Sequence, residues 1–284
     1  MIKRYEEKLP KWWNDRNKYD LVLTNDIDSL LSCVLLTRLK GWKIKYFYDF
    51  SYLYASKRLK GCKFNEKVYV DCSVIKGKCL DNHVNRLSKQ DDYNKEMINP
   101  NNLMGVTRDN YTDKYNLSTA LMVWSLFNIT LPKSEEGKMI LLAIDGGYAG
   151  YYRGFRTQTF NYLVNILNMR ELYDCLSRHT EEDFKKIVKK YKLMGHIKFN
   201  EEGLLSTDIK LDKIGKALGF NILLPIEEYI KWKEYVEMDY KIRGENKKEE
   251  IEDLEGIYHA LFSIAVTYSK GVRYSLLVQP EWRI

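Results

Sequence analysis

Apolar positions in this chain fall into short bounded runs, and their spacing changes along its length. Residues 19–25, YDLVLTN, are an apolar run between polar neighbours and predict a buried strand. Residues 28–40, DSLLSCVLLTRLK, carry apolar side chains at helical spacing, and Gly41 supplies a C-terminal stop. WKIKYFYDF alternates and predicts the next strand; VYVDCS, after the turn-like KFNEK, predicts another. Strand, helix, strand in that order predicts a parallel sheet. Ahead of it, residues 5–18 read as a short helix or arm.

From Asp81 to about Tyr115 the chain is polar and turn-rich, with NPNN at 99–102, and predicts a long loop of functional rather than framework character. LSTALMVWSLF (117–127) predicts an apolar helix that Ser118 or Asn116 would cap. For EEGKMILLAIDGG (135–147) helix and strand both fit. After Gly150, helical patterns dominate 157–193, and GHIKFNEEGLLSTDIKL reads as strand-like. Residues 225–260 read as a charged helix whose RGENKKEEIEDLE run is a solvated face. FSIAVTYSKGVRYSLLV reads as two strands around a Lys270-Gly271 turn. The shift in composition near 150–160 divides the chain into units 1–150 and 151–284. The expected fold class is α/β: a parallel-sheet N-terminal domain with a smaller, mixed α+β C-terminal domain.

Composition narrows the picture modestly. The 284 residues are 45% hydrophobic, enough for a sizeable core. There is no apolar run long enough to span a membrane, and the start, MIKRYEEKLPKWW, lacks the apolar centre of a secretory signal. Five cysteines without a CxxC pair fit a reducing cytoplasm better than a disulfide framework or a zinc knuckle. The net charge of +7 is compatible with an anionic partner. Before Asp71, basic residues (Arg38, Lys40, Lys43, Lys45, Lys57, Arg58, Lys60, Lys63) interleave with aromatic ones (Trp42, Tyr46, Phe47, Tyr48, Tyr52, Tyr54). Two readings stay open: a surface that stacks unpaired bases and neutralises phosphates, or a solvated lysine face over buried tyrosines.

The carboxylates carry the candidate chemistry. Asp26 and Asp28 lie in LVLTNDIDS, Asp71 in VYVDCS, Asp81 opens Asp81-Asn82-His83, and Asp145 lies in LLAIDGG. Each is placed where a strand is expected to end. In an open α/β sheet that rim is where ligands bind. Oxygen ligands collected there suit Mg²⁺ or Mn²⁺, and two such ions would clamp the attacking and leaving oxygens of a phosphoryl displacement. Taken singly, each Asp is equally a helix cap or turn former, and His83 a solvated loop residue.

The order of these motifs resembles the DHH phosphoesterase superfamily, most closely its RecJ-type exonuclease branch. NDIDSLLSCVLL is similar to the first motif, VYVDCS to the second, and LDNHVNR to the third, with Asn82 where the first histidine stands. INPNN and KYNLSTALMVWSLF resemble the following segment, and LLAIDGG the fourth motif. The resemblance covers about residues 19–150. Departures are Val22 and Thr24, at positions where relatives carry a histidine and a carboxylate, and the short Asp71–Asp81 spacing. The resemblance implies Asp26, Asp28, Asp71 and Asp145 as ligands of two Mn²⁺ or Mg²⁺ ions. It implies His83 as a further ligand or general acid, and Asp81 as the group orienting it. For substrate contacts it implies Lys270, Arg273 and Ser275 in the C-terminal hairpin; Arg153 and Arg156 are rivals because arginine suits bidentate phosphate binding. The implied function is metal-dependent hydrolysis of phosphodiester bonds in single-stranded nucleic acid, as an exonuclease. Two alternatives stand beside it: a phosphodiesterase for short oligonucleotides or cyclic dinucleotides, and a degenerate relative that binds nucleotide or nucleic acid without cutting.

Overall fold

A computed structural model describes residues 1–59, 64–241, 261–268 and 271–278. Lys60, Cys62, Lys63, Lys270 and the 243–255 charge run lie outside these residues. The strands are β1 (Asp20–Leu23), β2 (Lys43–Tyr48), β3 (Tyr52–Ser56), β4 (Lys67–Val70), β5 (Lys78–Leu80), β6 (Met97–Ile98), β7 (Ile197–Phe199), β8 (Leu205–Thr207), β9 (Tyr229–Lys241), β10 (Leu261–Tyr268) and β11 (Gly271–Leu277).

Nine of them form one mixed sheet in the order β10-β11-β9-β3-β2-β1-β4-β5-β6. Its β2-β1-β4-β5-β6 end is parallel, as the strand–helix–strand pattern predicts. All four residues of β1 are buried, as expected of a central parallel strand covered on both faces. The other end is antiparallel. There the strands on either side of residues 150–160 share a sheet, since β9 of the later half pairs with β3 of the earlier half. A separate two-stranded sheet, β7-β8, accounts for the strand-like 195–211 stretch.

The sheet curls back on itself. Backbone bonds run from Ile75 N–H to Phe262 O (2.9 Å), from Ile264 N–H to Ser73 O (3.0 Å) and from Val266 N–H to Val84 O (2.6 Å). Strand β10, at one end of the strand order, thus leans on the loops that leave β4 and β5. One sheet face packs the main core against the helices Ile27–Lys40, Thr119–Leu126 and Glu135–Ala143. A smaller core with Val22, Tyr46, Tyr48, Leu53 and Tyr235 lies on the opposite face.

Helix 27–40 forms as its pattern predicts. Asp26 caps it by accepting from Ser29 N–H, and Gly41 ends it at φ 69°, a left-handed turn that glycine adopts without a Cβ penalty. Two expectations fail. The 135–147 stretch is a helix, Glu135–Ala143, followed by a tight turn, so Asp145 follows a helix and not a strand. Residues 229–241 of the expected charged helix are strand β9, whose pairing with β3 and β11 overrides the local charge pattern. The 81–115 region also has more structure than a loop: β6, the helix Pro100–Met104 and a 3₁₀ segment. Among the described residues no helix is long and apolar enough to cross a membrane.

Candidate metal centre

Three parallel strands end at one rim, and each delivers a carboxylate to it. Asp26 and Asp28 follow β1, Asp71 follows β4, and Asp81 follows β5. Asp145 arrives from the opposite side, on the turn after helix 135–143. Asp71 (φ 57°) and Asp145 (φ 54°) both hold left-handed backbone. Aspartate tolerates that region better than most residues, at a cost of about 1–2 kcal/mol.

Helix 119–126 points its N-terminus at the group. Asp28, buried, accepts from Thr119 N–H (2.8 Å) and Ala120 N–H (2.7 Å) with its two oxygens. The exposed N–H groups and dipole of a helix start favour a carboxylate there. Each Asp28 oxygen keeps a further lone pair. Thr119 Oγ1 donates to Asp71 Oδ1 (2.8 Å). Asp81 is fully buried and accepts from His83 N–H and Asn99 Nδ2, both at 3.0 Å; its other oxygen meets His83 Nδ1 at 2.7 Å. That contact fixes the imidazole and leaves Nε2 directed elsewhere, with 40% of the side chain exposed. Ligand atoms of Asp71, Asp81 and His83 all lie within 4.8 Å of one another.

Asn82 joins the last element to the others. Its amide nitrogen donates to Asp145 Oδ2 (2.7 Å) and Leu117 O (3.0 Å). Its amide oxygen is buried without a partner among the described residues. Such an orphan acceptor is costly in a folded protein unless an ion or water satisfies it.

The electrostatics match a site that wants positive charge. Burial raises the Asp28 carboxyl well above its ordinary range, and Asp71, Asp145 and Asp26 push it further. Burial and then Asp26 do the same for Asp71, against the opposing pull of His83. Asp26 and Asp145 are raised as well, burial again first among the causes. His83 is pushed up: burial works against its charged form, but the Asp81 carboxylate prevails. One imidazolium cannot neutralise this many carboxylates, whereas a divalent cation relieves their repulsion.

The supporting polar groups were not assigned from sequence. Asn99 also donates to His83 O (2.7 Å), and Asn101 donates to Asn82 O (2.6 Å) while accepting from Tyr115 N–H (2.7 Å). These two asparagines, at the start of helix 100–104, pin the 81–83 backbone. Lys114 is a cation whose charge favours ionised Asp145. The NPNN turn and the Ser118-Thr119 cap pattern are the signals the sequence offers for them.

The expected substrate contacts are spread out. Arg273 is held by Asp239 (2.9 Å) and Glu237 (3.6 Å). Ser275 is buried, and Ser263 donates to its hydroxyl at 3.1 Å. Arg153 lies 3.9 Å from Glu181, and Arg156 covers the Tyr151 ring. No contact among the described residues joins these four to the carboxylates; Lys270 lies outside the described residues. In the basic-aromatic segment, Trp42, Tyr46, Phe47 and Tyr48 are buried, so their rings are core and not a stacking surface. The chain matches no protein-family model, no curated protein and no solved structure.

Proposed function

We propose that this protein is a divalent-metal-dependent phosphodiesterase acting on single-stranded nucleic acid, with the DHH-like motif order as its organising pattern. One observation carries the reading: residues from positions 26 to 145 converge at one rim, leaving crowded carboxylates and a buried, partnerless amide oxygen on Asn82. Asp26, Asp28, Asp71 and Asp145 would hold Mn²⁺ or Mg²⁺, with the Asn82 amide oxygen beside them. When bound, such ions polarise a phosphoryl oxygen and acidify water. The chain's own residues do the rest. Thr119 and the helix 119–126 N-terminus hold Asp71 and Asp28 in place, and Asn82 holds Asp145. The Asp81 carboxylate keeps His83 protonated at Nδ1, so Nε2, which Asp81 does not engage, is the group able to donate a proton to a leaving alkoxide. Lys114 adds positive charge beside Asp145, where an anionic substrate approaches.

The test is hydrolysis of a labelled single-stranded oligonucleotide with Mn²⁺, wild type beside Asp71→Ala. Cleavage by the wild type alone is expected. Equal cleavage by both sinks the reading. Asn82 also supports a binding protein that does not cut, since its amide ties down Asp145; wild-type oligonucleotide binding with no turnover in Mn²⁺ would select that version.

A further inference from the structure

A second feature gathers around Lys67, the first residue of β4. Three aromatic rings are stacked on the sheet face away from the main helices. Tyr46 of β2 and Trp232 of β9 have centroids 5.3 Å apart and planes inclined by 21°. Phe64 continues the stack on Trp232, at 5.9 Å and 19°. The stack starts in the core and ends in solvent: Tyr46 is buried, Trp232 is 42% exposed and Phe64 52%. The ammonium of Lys67 lies 4.5 Å from the Trp232 centroid and 4.8 Å from that of Tyr46. Lys233 is 6.0 Å from the Trp232 centroid.

Two further facts point to a ligand. Among the described residues neither Lys67 nor Lys233 has a carboxylate within 4 Å. Burial, followed by the Lys233 charge, lowers the Lys67 ammonium below its ordinary range, against the opposing pull of the Asp20 carboxylate. The Tyr46 hydroxyl is buried with no partner among the described residues. Two cations and an unused hydroxyl fit an anion, and an open ring at the end of a stack fits a second planar ring.

We infer that the Phe64–Trp232 stack with Lys67 and Lys233 is a docking platform for single-stranded nucleic acid, a base stacking on the open rings and a phosphate lying at the two lysines. This rests on the single-strand reading above and makes it more specific. Lys67 begins β4 and Asp71 follows its end, so the platform and the rim are separated by the length of that strand, about 13 Å at 3.3 Å per residue. A strand of several nucleotides can occupy both places. A small diester without a base uses the rim alone. Base–aromatic stacking tolerates any sequence, and the lysine contacts make binding salt-dependent.

The experiment measures fluorescence anisotropy of labelled dT12 and rU12 in EDTA, so that binding is read without turnover. Trp232→Ala is expected to weaken binding about tenfold or more. Lys67→Ala and Lys233→Ala, on a backbone that Trp232→Ala leaves intact, are expected to weaken it several-fold and to flatten the salt dependence. Preference for one of the two oligonucleotides identifies DNA or RNA as the ligand. In Mn²⁺, Trp232→Ala should raise KM for dT12 with kcat unchanged and leave hydrolysis of bis(p-nitrophenyl) phosphate untouched. Unchanged affinity in all three variants overturns the platform, whatever the rim does. So does wild-type self-association in sedimentation that Trp232→Ala abolishes, which would make the patch a protein interface. Active Asp71→Ala with platform variants that bind poorly would sink the metal mechanism and keep the platform.

Discussion

Two clusters in this protein combine the side chains that metals favour, and they differ in how their charge is balanced. At the rim, Asp26, Asp28, Asp71, Asp81 and Asp145 share one histidine, His83, and the charge of Lys114. Ligand atoms of Asp71, Asp81 and His83 lie within 4.8 Å of one another there, and in the helical layer those of Glu135, Cys175 and His179 do the same. There the single carboxylate is already satisfied. Its Oε1 accepts from Arg178 Nε (2.9 Å) and Nη2 (2.6 Å) and meets His179 Nε2 at 3.2 Å; Lys138 stands 3.6 Å from Oε2. Burial pulls Glu135 upward, yet the Arg178 and His179 contacts hold it below its ordinary range. Burial and Glu135 push the Cys175 thiol up to about 12, far from the thiolate a metal would take. Proximity is alike in the two places. The unneutralised charge at the rim is what supports the proposed cation site, and the ion-paired cluster reads as a brace between helices.

The comparison can be broken in order of expected effect. Asp71→Ala should abolish Mn²⁺-dependent hydrolysis and weaken Mn²⁺ binding in calorimetry. Asp71→Asn, which tolerates the left-handed backbone, should lose activity while keeping a wild-type Tm. Next, His83→Gln should lower kcat by about 10²–10⁴-fold and remove the basic-side pKa from the pH–rate profile. Asn99→Ala, which frees Asp81 and His83 from their brace, should cost about 10–100-fold in metal affinity or activity.

The smallest effects are in stability, and their pH dependence has opposite signs. Rim carboxylates with raised values contribute stability when protonated, and that contribution is lost as pH rises through the raised values. Asp26→Asn keeps the helix cap and removes one charge. In EDTA it should raise Tm by roughly 2 °C at pH 8, with the gain shrinking toward pH 5. Glu135, held low, stabilises above the ordinary carboxylate range and loses that contribution as pH falls. Glu135→Gln should therefore lower Tm by about 2–4 °C at pH 7, with the difference vanishing as pH falls through the lowered Glu135 value and no change in Mn²⁺ affinity. Equal losses of Mn²⁺ affinity in Glu135→Gln and Asp71→Ala would erase the distinction between the clusters.

Local sequence determined strands β1, β2 and β4 of the parallel half of the sheet, the 27–40 and 119–126 helices with their caps, and the carboxylates as the chemistry to watch. Each of those depends on spacing within about a dozen residues, on a capping side chain or on a stop glycine. The tertiary structure decided what depends on distant partners. Residues 229–241 became a strand because β3 and β11 offered edges to pair with, and Asp145 reached the rim from a helix through the Asn82 amide. Asn99, Asn101 and Thr119 acquired their roles only when the chain brought them against the 81–83 turn and Asp71. Trp42, Tyr46, Phe47 and Tyr48 of the basic-aromatic segment were buried in the fold, while Trp232 and Phe64, far apart in sequence, came together at its surface. Charge balance is likewise a property of neighbours in space, so the contrast between rim and brace is written in no single stretch of the chain.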